Sequence, residues 1–483
     1  MKKIVCVFLA AVMLLAICLL GCSKEREIIW VNYGESKNIP CLQIPDAEVA
    51  TRADYRYILR KANKVGVPED WGYLEKKVRE ENQPMENLLM GGGVYLTRYV
   101  NVTLQTYRDF LEDLKTQEFT VLAESCLQDA VYTTALNYKG NSYTVTYFAK
   151  TATIDVTASK EDHLSPYLQK ENDSTKDKAV EGYSTTLTMR PLRNNSTGYV
   201  IQLPNGHYVI SGGGTMWDLS SLVEYLKEHA PEGEVPVVEA WFLCTASYDV
   251  ANWVTGLNRL EEGQICVNGV YFNQPSNKVI DNTLFEENVQ DGETYYTRGT
   301  NNTHSLIMSN VGLLKTEKGE ETPIYRPMSG QIYYFNGGLT VEIPLTQEQM
   351  ELDEYEFDFK VASGSLVIRA GEKMFFDMAY LCKPNQQKLV DTYGAEYFGD
   401  MDLVLTPYRG RRMYPEFQDV FSTKYILFCS SKVQQLEEEY AQVYRYYAEK
   451  EDVQLVSYSD GTFIYDFATG ESEIRPAQQR PWG

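Results

Sequence analysis

From about residue 183 onward, apolar strand-like runs alternate with an amphipathic helix, and this alternation limits the folds that the chain can adopt. Tyr199–Leu203 and His207–Ile210 flank a Pro-Asn-Gly turn and predict a hairpin. A helix with apolar residues at helical spacing follows, and Val235–Leu243 is a largely apolar strand. Strands and helices in this order predict a layered α/β domain.

Two other stretches carry the apolar spacing of helices. The first has Tyr107, Phe110, Leu111 and Leu114 on one face, and three strand-like runs follow it before residue 158. The second is predicted to be one helix near the C-terminus whose core-facing positions are Val433, Leu436, Tyr440, Val443 and Tyr447.

At 483 residues the chain is longer than one compact domain usually is, so several parts are expected. Composition changes along the sequence predict a signal peptide at 1–22, a tether and helical segment at 23–93, a small α+β domain at 94–158, a linker at 159–182 and the layered domain at 183–475. The linker is charged and poor in large apolar residues, which is typical of a connection between two folded parts.

The N-terminus has the pattern of an export signal. Lys2 and Lys3 precede an uncharged apolar run that ends at Leu20. The sequence Leu-Leu-Gly-Cys at 19–22 resembles the lipobox of bacterial lipoproteins. The resemblance implies cleavage before Cys22, lipidation of Cys22 and attachment of the chain to the extracytoplasmic side of the cell membrane. An uncleaved N-terminal anchor is the alternative, and it places the chain on the same side.

The formal net charge of −22 argues against a nucleic-acid partner, because phosphate binding needs clustered Lys and Arg. The expected partners are therefore the membrane, through the N-terminal lipid, and a ligand or surface protein that the sequence does not name.

Several stretches of the layered domain resemble the metallo-β-lactamase superfamily. They are the strand Glu239–Leu243 with the loop after it, the paired strands Gly364–Arg369 and Lys373–Asp377, the strand and turn Asp402–Gly410, and the strand Ile426–Ser431. The resemblance covers about residues 183–475. The fold class that it implies is α/β, a metallo-β-lactamase-like αββα sandwich preceded by a small α+β domain.

The residues at the superfamily's metal-binding positions differ from its pattern. The corresponding positions are Thr245, Ser247, Asp249, Val250, Asp377 or Met378, Tyr408 and Arg409. Thr245, Ser247 and Val250 replace three histidines, and Tyr408 and Arg409 replace a histidine pair. Asp249 keeps a ligand type but also suits the N-cap of the helix that follows it. Arg409 is either an exposed turn residue or a cation able to hold an anion.

The histidine content leads to the same expectation. The chain has four histidines, at 163, 207, 229 and 304, and none is part of a His-x-His or His-His pair. Zinc hydrolase sites rely on several imidazole ligands. The sequence therefore predicts no metal, no cofactor and no catalytic residue.

Three functions remain open. The leading interpretation is a non-catalytic binding or scaffold protein anchored in the membrane. The alternative is a metallo-hydrolase-like enzyme with a rebuilt or mononuclear site, built from Asp249, Asp377 and Tyr408, that acts on an extracellular substrate. The third is a structural partner in a surface complex, with an interface rich in the chain's 36 tyrosines.

Overall fold

A computed structural model describes residues 29–33, 36–42, 44, 47–54, 94–160, 173–193, 196–244, 252–257, 263–272, 285–290, 293–298, 307, 309–346, 364–381, 383–410, 413, 415–436 and 441–476. In these ranges, no helix has both the length and the apolar composition needed to cross a bilayer. Cys22 lies outside the described residues.

The N-terminal part contains a hairpin and a small α+β domain. The hairpin pairs β1 (Ile29–Tyr33) with β2 (Ser36–Cys41). The elements of the domain are β3 (Glu48–Asp54), β4 (Val94–Val100), α1 (Leu104–Thr116), β5 (Thr120–Leu127), β6 (Val131–Tyr138), β7 (Asn141–Phe148) and β8 (Thr153–Lys160). Its strands form an antiparallel sheet in the order β3-β4-β8-β7-β6-β5.

Strand β3 was not expected, because the sequence assigned its residues to the tether and helical segment. Its main chain pairs with β4 from Glu48 opposite Val100 to Asp54 opposite Tyr95. Strand β4 has β8 on its other side, so β3 supplies hydrogen bonds to an edge that would otherwise be open. The helices predicted between residues 55 and 90 lie outside the described residues.

Helix α1 begins at a capping box, in which Thr103 is the N-cap and exchanges hydrogen bonds with Thr106. Its buried face consists of the four residues predicted from the spacing, Tyr107, Phe110, Leu111 and Leu114. This face covers one side of the sheet, and each buried side chain stabilises the domain by about 1.5–3 kcal/mol.

The layered domain contains two large sheets. Strands of the first sheet are β9 (Thr186–Met189), β10 (Gly198–Gln202), β11 (Tyr208–Gly212), β12 (Val237–Leu243), β13 (Cys266–Val267), β14 (Val270–Phe272), β17 (Ile324–Tyr325), β25 (Thr462–Asp466) and β26 (Ser472–Arg475). Strands of the second are β18 (Gln331–Tyr334), β19 (Thr340–Ile343), β20 (Leu366–Ala370), β21 (Lys373–Asp377), β22 (Asp400–Leu405), β23 (Ser422–Phe428) and β24 (Gln454–Ser457). A separate hairpin pairs β15 (Phe285–Gln290) with β16 (Glu293–Arg298).

Short helices connect these strands. They are α2 (Met216–His229), α3 (Lys383–Tyr393), α4 (Ala395–Phe398), α5 (Pro415–Gln418), α6 (Lys432–Gln435) and α7 (Ala441–Ala448). Residues 252–257 are also helical. Single 3-10 turns occupy Asp173–Lys176, Asn336–Gly338 and Pro407–Gly410.

The two sheets pack face to face around an apolar layer to which both contribute, with Phe242 of the first sheet and Phe375 of the second among its members. Helix α2 and residues 252–257 pack on the outer face of the first sheet. Helices α3, α4, α5 and α7 pack on the outer face of the second. This is an αββα sandwich, and it confirms the predicted fold class.

The prediction of a single C-terminal helix is wrong, because the structure has two separate helices there. Ser431 caps α6 by accepting from the Gln434 N–H, and this short helix ends at Gln435, before α7 begins. Val433 and Leu436 are 77 % and 52 % exposed, whereas Val443 and Tyr447 of α7 are buried. Only the second half of the predicted apolar face therefore packs on the core.

The small domain shares a core with the sandwich. Leu127, Val131 and Phe148 pack in the layer that covers the outer face of the second sheet. Beside them, the fully buried carboxylate of Asp155 accepts from Arg98 Nε and Nη2 at 2.7 and 2.8 Å, and Lys388 Nζ of α3 lies 3.7 Å away. Burial alone would raise the pKa of Asp155, but the charges of Arg98 and Lys388 outweigh it and lower the pKa.

Replacing Asp155 should destabilise this interface. Asp155→Asn removes the buried anion that lies between two partly buried cations, and we expect a loss of about 3 kcal/mol in the free energy of unfolding at pH 7. Because the folded-state pKa is lowered, the stabilisation is present above the pKa of the unfolded chain and is lost as the pH falls through the folded-state pKa. Urea unfolding between pH 7 and pH 3 measures both effects.

Glu396→Gln is the matched control, because Glu396 also joins the sandwich to the small domain, through Lys150 at 2.9 Å. Both side chains are largely exposed, so little change is expected. Equal effects of the two substitutions would contradict the assigned role of Asp155.

Candidate functional site

Polar side chains from both sheets meet at one edge of the sandwich. Strands β11 and β12 run parallel in the first sheet, as do β21, β22 and β23 in the second. Asp377 ends β21, Ser211 lies near the end of β11, and the Ser211 hydroxyl donates to Asp377 at 3.2 Å. The carboxyl ends of parallel strands from both sheets therefore face each other here, which is where α/β folds usually hold their sites.

A glycine turn sets the position of Ser211. Gly212 has a φ of 71°, and a Cβ there would lie 2.1 Å from the Thr197 carbonyl oxygen. The Gly212 carbonyl accepts from the buried Trp241 indole at 2.9 Å. No other residue fits this turn, so the Ser-Gly-Gly-Gly sequence brings β11 to an end with Ser211 directed into the sandwich.

Both carboxylate oxygens of Asp377 are hydrogen-bonded within the protein. Tyr199 OH donates to Oδ2 at 2.9 Å, Ser211 donates to the same oxygen, and the Ala379 N–H donates to Oδ1 at 2.9 Å. Asp377 is only 2 % exposed. Its carboxylate is therefore anchored by three donors in a place that excludes water.

Cys244, directly after β12, completes this group, which we call the Asp377 cluster (Asp377, Tyr199, Ser211 and Cys244). Burial raises the pKa of Asp377, although its three hydrogen bonds partly oppose the shift. Burial and then the charge of Asp377 hold the pKa values of Tyr199 and Cys244 well above their usual ranges. The cluster therefore keeps its phenol and thiol protonated at neutral pH.

The structure places the two alternatives for the bridging position on opposite faces of the second sheet. Asp377 points between the sheets, toward Tyr199 and Ser211. Met378 is fully buried in the outer layer with Phe376 and Phe398. Only Asp377 therefore contributes a side chain to this edge.

Of the other metal-binding positions named from the sequence, the structure describes the backbone of two and leaves four outside the described residues. Tyr408 and Arg409 lie in the 3-10 turn Pro407–Gly410, directly after β22, whose Leu405 pairs with Asp377. The turn therefore follows the strand that pairs with Asp377. The side chains of Tyr408 and Arg409 lie outside the described part of the structure. Thr245, Ser247, Asp249 and Val250 also lie outside the described residues.

Neither described histidine reaches the Asp377 cluster. His207 hydrogen-bonds through Nδ1 to the buried Glu239, whose other oxygen accepts from Asn268 at 3.0 Å. His229 ends α2, with Nδ1 at 2.8 Å from the Tyr225 carbonyl oxygen. Burial lowers the pKa of His207, but the hydrogen bond and charge of Glu239 outweigh it and raise the pKa. Both histidines have structural partners.

The residues at this edge do not fit the zinc centre that the fold implies. The oxygens of Asp377 accept from three protein donors, which occupy most of the roughly four lone pairs that a bridging carboxylate directs at metal ions. Within the described ranges, no three His, Cys, Asp or Glu side chains come together as a metal-binding group. The sequence supplies no imidazole at the corresponding loop positions.

Sequence reasoning identified Asp377 but missed Tyr199. Tyr199 faces Ser211 in the hairpin, where the register pairs these two residues, and its ring packs edge-on against Phe375 at 5.0 Å between centroids. The strand alternation of β10 could have placed Tyr199 on the inner face, but nothing in the sequence ties it to a residue 178 positions away.

Solved structures with a similar arrangement are known. A Zn²⁺-bound PqqB from Methylobacterium extorquens is 10 % identical over 57 % of this chain and 98 % of that one, with a TM-score of 0.35. A CmlA β-hydroxylase mutant is 9 % identical over 59 % of this chain and 55 % of that one, with a TM-score of 0.34. A Cronobacter sakazakii metallo-β-lactamase with a HARLDQ motif is 11 % identical over 46 % and 78 %, with a TM-score of 0.27.

No protein-family model matches the chain, and no curated protein matches it. The two packed sheets with helices outside both of them carry the assignment of the fold. The chain folds as an αββα sandwich. Within that fold, the site edge holds a buried carboxylate bonded to a tyrosine and a serine.

The raised pKa of Asp377 predicts a pH-dependent stability. The contribution of Asp377 is fully present below the pKa of the unfolded chain and is lost as the pH rises through the folded-state pKa. Between pH 4 and pH 7, wild type should therefore lose stability relative to Asp377→Asn, whose side-chain amide does not titrate. Urea unfolding of both proteins at several pH values measures the difference.

Tyr199→Phe provides the companion measurement. It removes a donor that favours the ionised carboxylate, so the loss of stability with rising pH should be larger than in wild type. A difference between wild type and Asp377→Asn that stays constant with pH would show that Asp377 titrates normally.

Proposed function

We propose that this chain is an exported, lipid-anchored protein whose metallo-β-lactamase-like sandwich binds or scaffolds and does not hydrolyse. The observation that carries the proposal is the hydrogen bonding of Asp377, whose two oxygens accept from Tyr199, Ser211 and the Ala379 main chain. In a metal-dependent hydrolase, the bridging carboxylate has to present its oxygens to the metal and leave room for an activated water.

Converting the Asp377 cluster into a metal site would require several unfavourable changes at once. The Tyr199 and Ser211 hydroxyls would lose a buried acceptor, which costs about 1–3 kcal/mol for each group left unsatisfied. The carboxylate would also need to be ionised where burial already raises its pKa. Asp377 is therefore better suited to holding the two sheets together than to holding a metal.

The identities of the remaining positions support the same proposal. Thr245, Ser247 and Val250 provide weak ligands or none, and Arg409 adds a fixed positive charge to the turn beside β21. The carboxylates at these positions are Asp249 and Asp377. Without nitrogen donors beside them, they favour weak binding of hard cations over tight binding of zinc.

The proposed location rests on the sequence of the first 22 residues. A diacylglyceryl group on Cys22 supplies two acyl chains, which is enough for stable membrane attachment. The folded domains would then lie outside the cytoplasmic membrane, where a ligand or a surface protein can reach them.

The zinc content of the purified protein tests the non-catalytic role. After incubation with zinc and removal of free metal, elemental analysis should find almost no zinc per chain, because imidazole donors are lacking. Wild type and Asp377→Asn should give the same result. They should be equally inactive toward phosphodiester, lactam and thioester substrates.

One tightly bound transition metal per chain that is lost with Asp377→Asn, together with a chelator-sensitive activity, would overturn the proposal. That outcome would favour a hydrolase with a rebuilt site.

The lipid anchor has its own test. Cys22→Ser should abolish incorporation of a fatty-acid label and release the protein from the membrane fraction, because the thiol that receives the lipid is gone. Cys41→Ser is the control, since Cys41 is the next cysteine along the chain and should leave labelling unchanged. Equal labelling of wild type and Cys22→Ser would contradict the assignment.

A further inference from the structure

A cleft lies on the outer face of the first sheet, and Tyr199 of β10 is the one residue of the Asp377 cluster that also lines it. The cleft has a volume of about 470 Å³ and is lined by residues of β9 and β10, by one face of α2, and by β25 and β26. Clefts that bind small molecules commonly have volumes of about 300–1,000 Å³. Its size therefore suits a small ligand, and the nature of that ligand follows from the lining side chains.

Arg190 provides an oriented positive charge in this cleft. Its Nη1 donates to the Ser221 carbonyl oxygen of α2 at 2.9 Å, and its guanidinium lies 5.5 Å from the centre of the Tyr225 ring. Arg190 is half-buried, and among the described residues it makes no ion pair. A half-buried guanidinium held in place in this way keeps other N–H donors for an anion.

Arg475 adds a second positive charge to the same cleft. It donates to both oxygens of Glu473, at 3.0 and 2.9 Å, but both side chains are 57 % exposed, so water screens the pair and competes with it. Burial raises the pKa of Tyr225, and the charges of Arg190 and Arg475 both act in the opposite direction. Both guanidinium groups therefore lie close enough to Tyr225 to act on its hydroxyl.

The charges of α2 indicate how much negative charge the ligand should carry. Asp218, Glu224 and Glu228 of α2 line the same cleft as the two arginines. Their carboxylates offset the positive potential, so a singly charged anion that is held directly by the N–H donors of Arg190 is accommodated better than a dianion.

The rest of the lining is apolar or aromatic. Leu192, Ile464 and Tyr225 are partly buried and contribute hydrophobic surface. Trp253 is only 3 % exposed and also lines the cleft, and its indole nitrogen packs against Gly214. The lining therefore suits a ligand with an apolar or aromatic body.

We propose that this cleft binds a small monocarboxylate with an apolar or aromatic body, with its carboxylate between Arg190 and Arg475 and its body against Tyr225. The proposal is independent of the proposed function, because the side chains that would hold the ligand are those of Arg190, Arg475 and Tyr225, and none of them belongs to the Asp377 cluster.

Benzoate is a suitable probe, because it combines one carboxylate with a planar apolar ring, and benzamide is its neutral counterpart of the same shape. Saturation-transfer difference NMR on the purified full-length chain should detect benzoate, with benzamide binding at least about tenfold more weakly. Arg190→Gln should weaken benzoate binding by about tenfold or more, and Arg475→Gln should weaken it by a smaller factor.

Arg108→Gln is the matched control, since Arg108 lines a different cavity of about 450 Å³ on the small domain. This variant should bind benzoate as wild type does. Arg475 is exposed, so Arg475→Gln keeps the test valid if Arg190→Gln fails to fold, which circular dichroism would reveal.

Three results would each overturn the proposal. They are equal binding of benzoate and benzamide, benzoate binding that neither arginine substitution weakens, and no saturation transfer to benzoate at 10 mM. Inorganic phosphate that competes with benzoate at equal concentration would instead show a site for dianions, contrary to the inferred charge preference.

Discussion

Two sheets that stack face to face exclude water from the layer between them, so a polar atom left there without a hydrogen bond destabilises the fold. Asp377 is the most demanding residue in this respect, because it brings a carboxylate to the edge of the inter-sheet core. Tyr199 and Ser211 are cross-strand neighbours in the hairpin of the first sheet, and both donate to this carboxylate of the second. The contact between the sheets at this edge depends on these two hydroxyl groups and on the turn at Gly212 that positions one of them.

Strand β10 separates two polar regions of different character. Its inward residue Tyr199 belongs to the closed Asp377 cluster, whereas its outward residue Val200 faces the cleft that contains Arg190. The inner region has its hydrogen bonds satisfied by the protein itself. The outer region holds Arg190, which makes no ion pair among the described residues. A ligand can therefore form new hydrogen bonds more readily in the outer region than in the Asp377 cluster.

The sequence predicted those features that depend on the local spacing of apolar residues or on a recognisable motif. The hairpin of β10 and β11, the buried face of α1 and the sandwich itself are of this kind. It failed where distant contacts decide the outcome. Strand β25 returns from near the C-terminus to pair with β9, and Val433 has helical spacing yet remains exposed because Ser431 starts a separate short helix. The donors to Asp377 and the pairing of Lys388 with Asp155 were equally invisible, since nothing near these residues in the sequence specifies their partners.

The shared core between the small domain and the sandwich has a consequence for the integrity of the molecule. Residues 161–172 connect the two parts in sequence, but Phe148 and the buried Asp155 connect them in space. If a protease cut that connection, the fragments would stay together as a non-covalent complex and would elute as one species until denaturant separated them. Expressed alone, either fragment would expose the apolar surface that the other normally covers, and would therefore tend to aggregate.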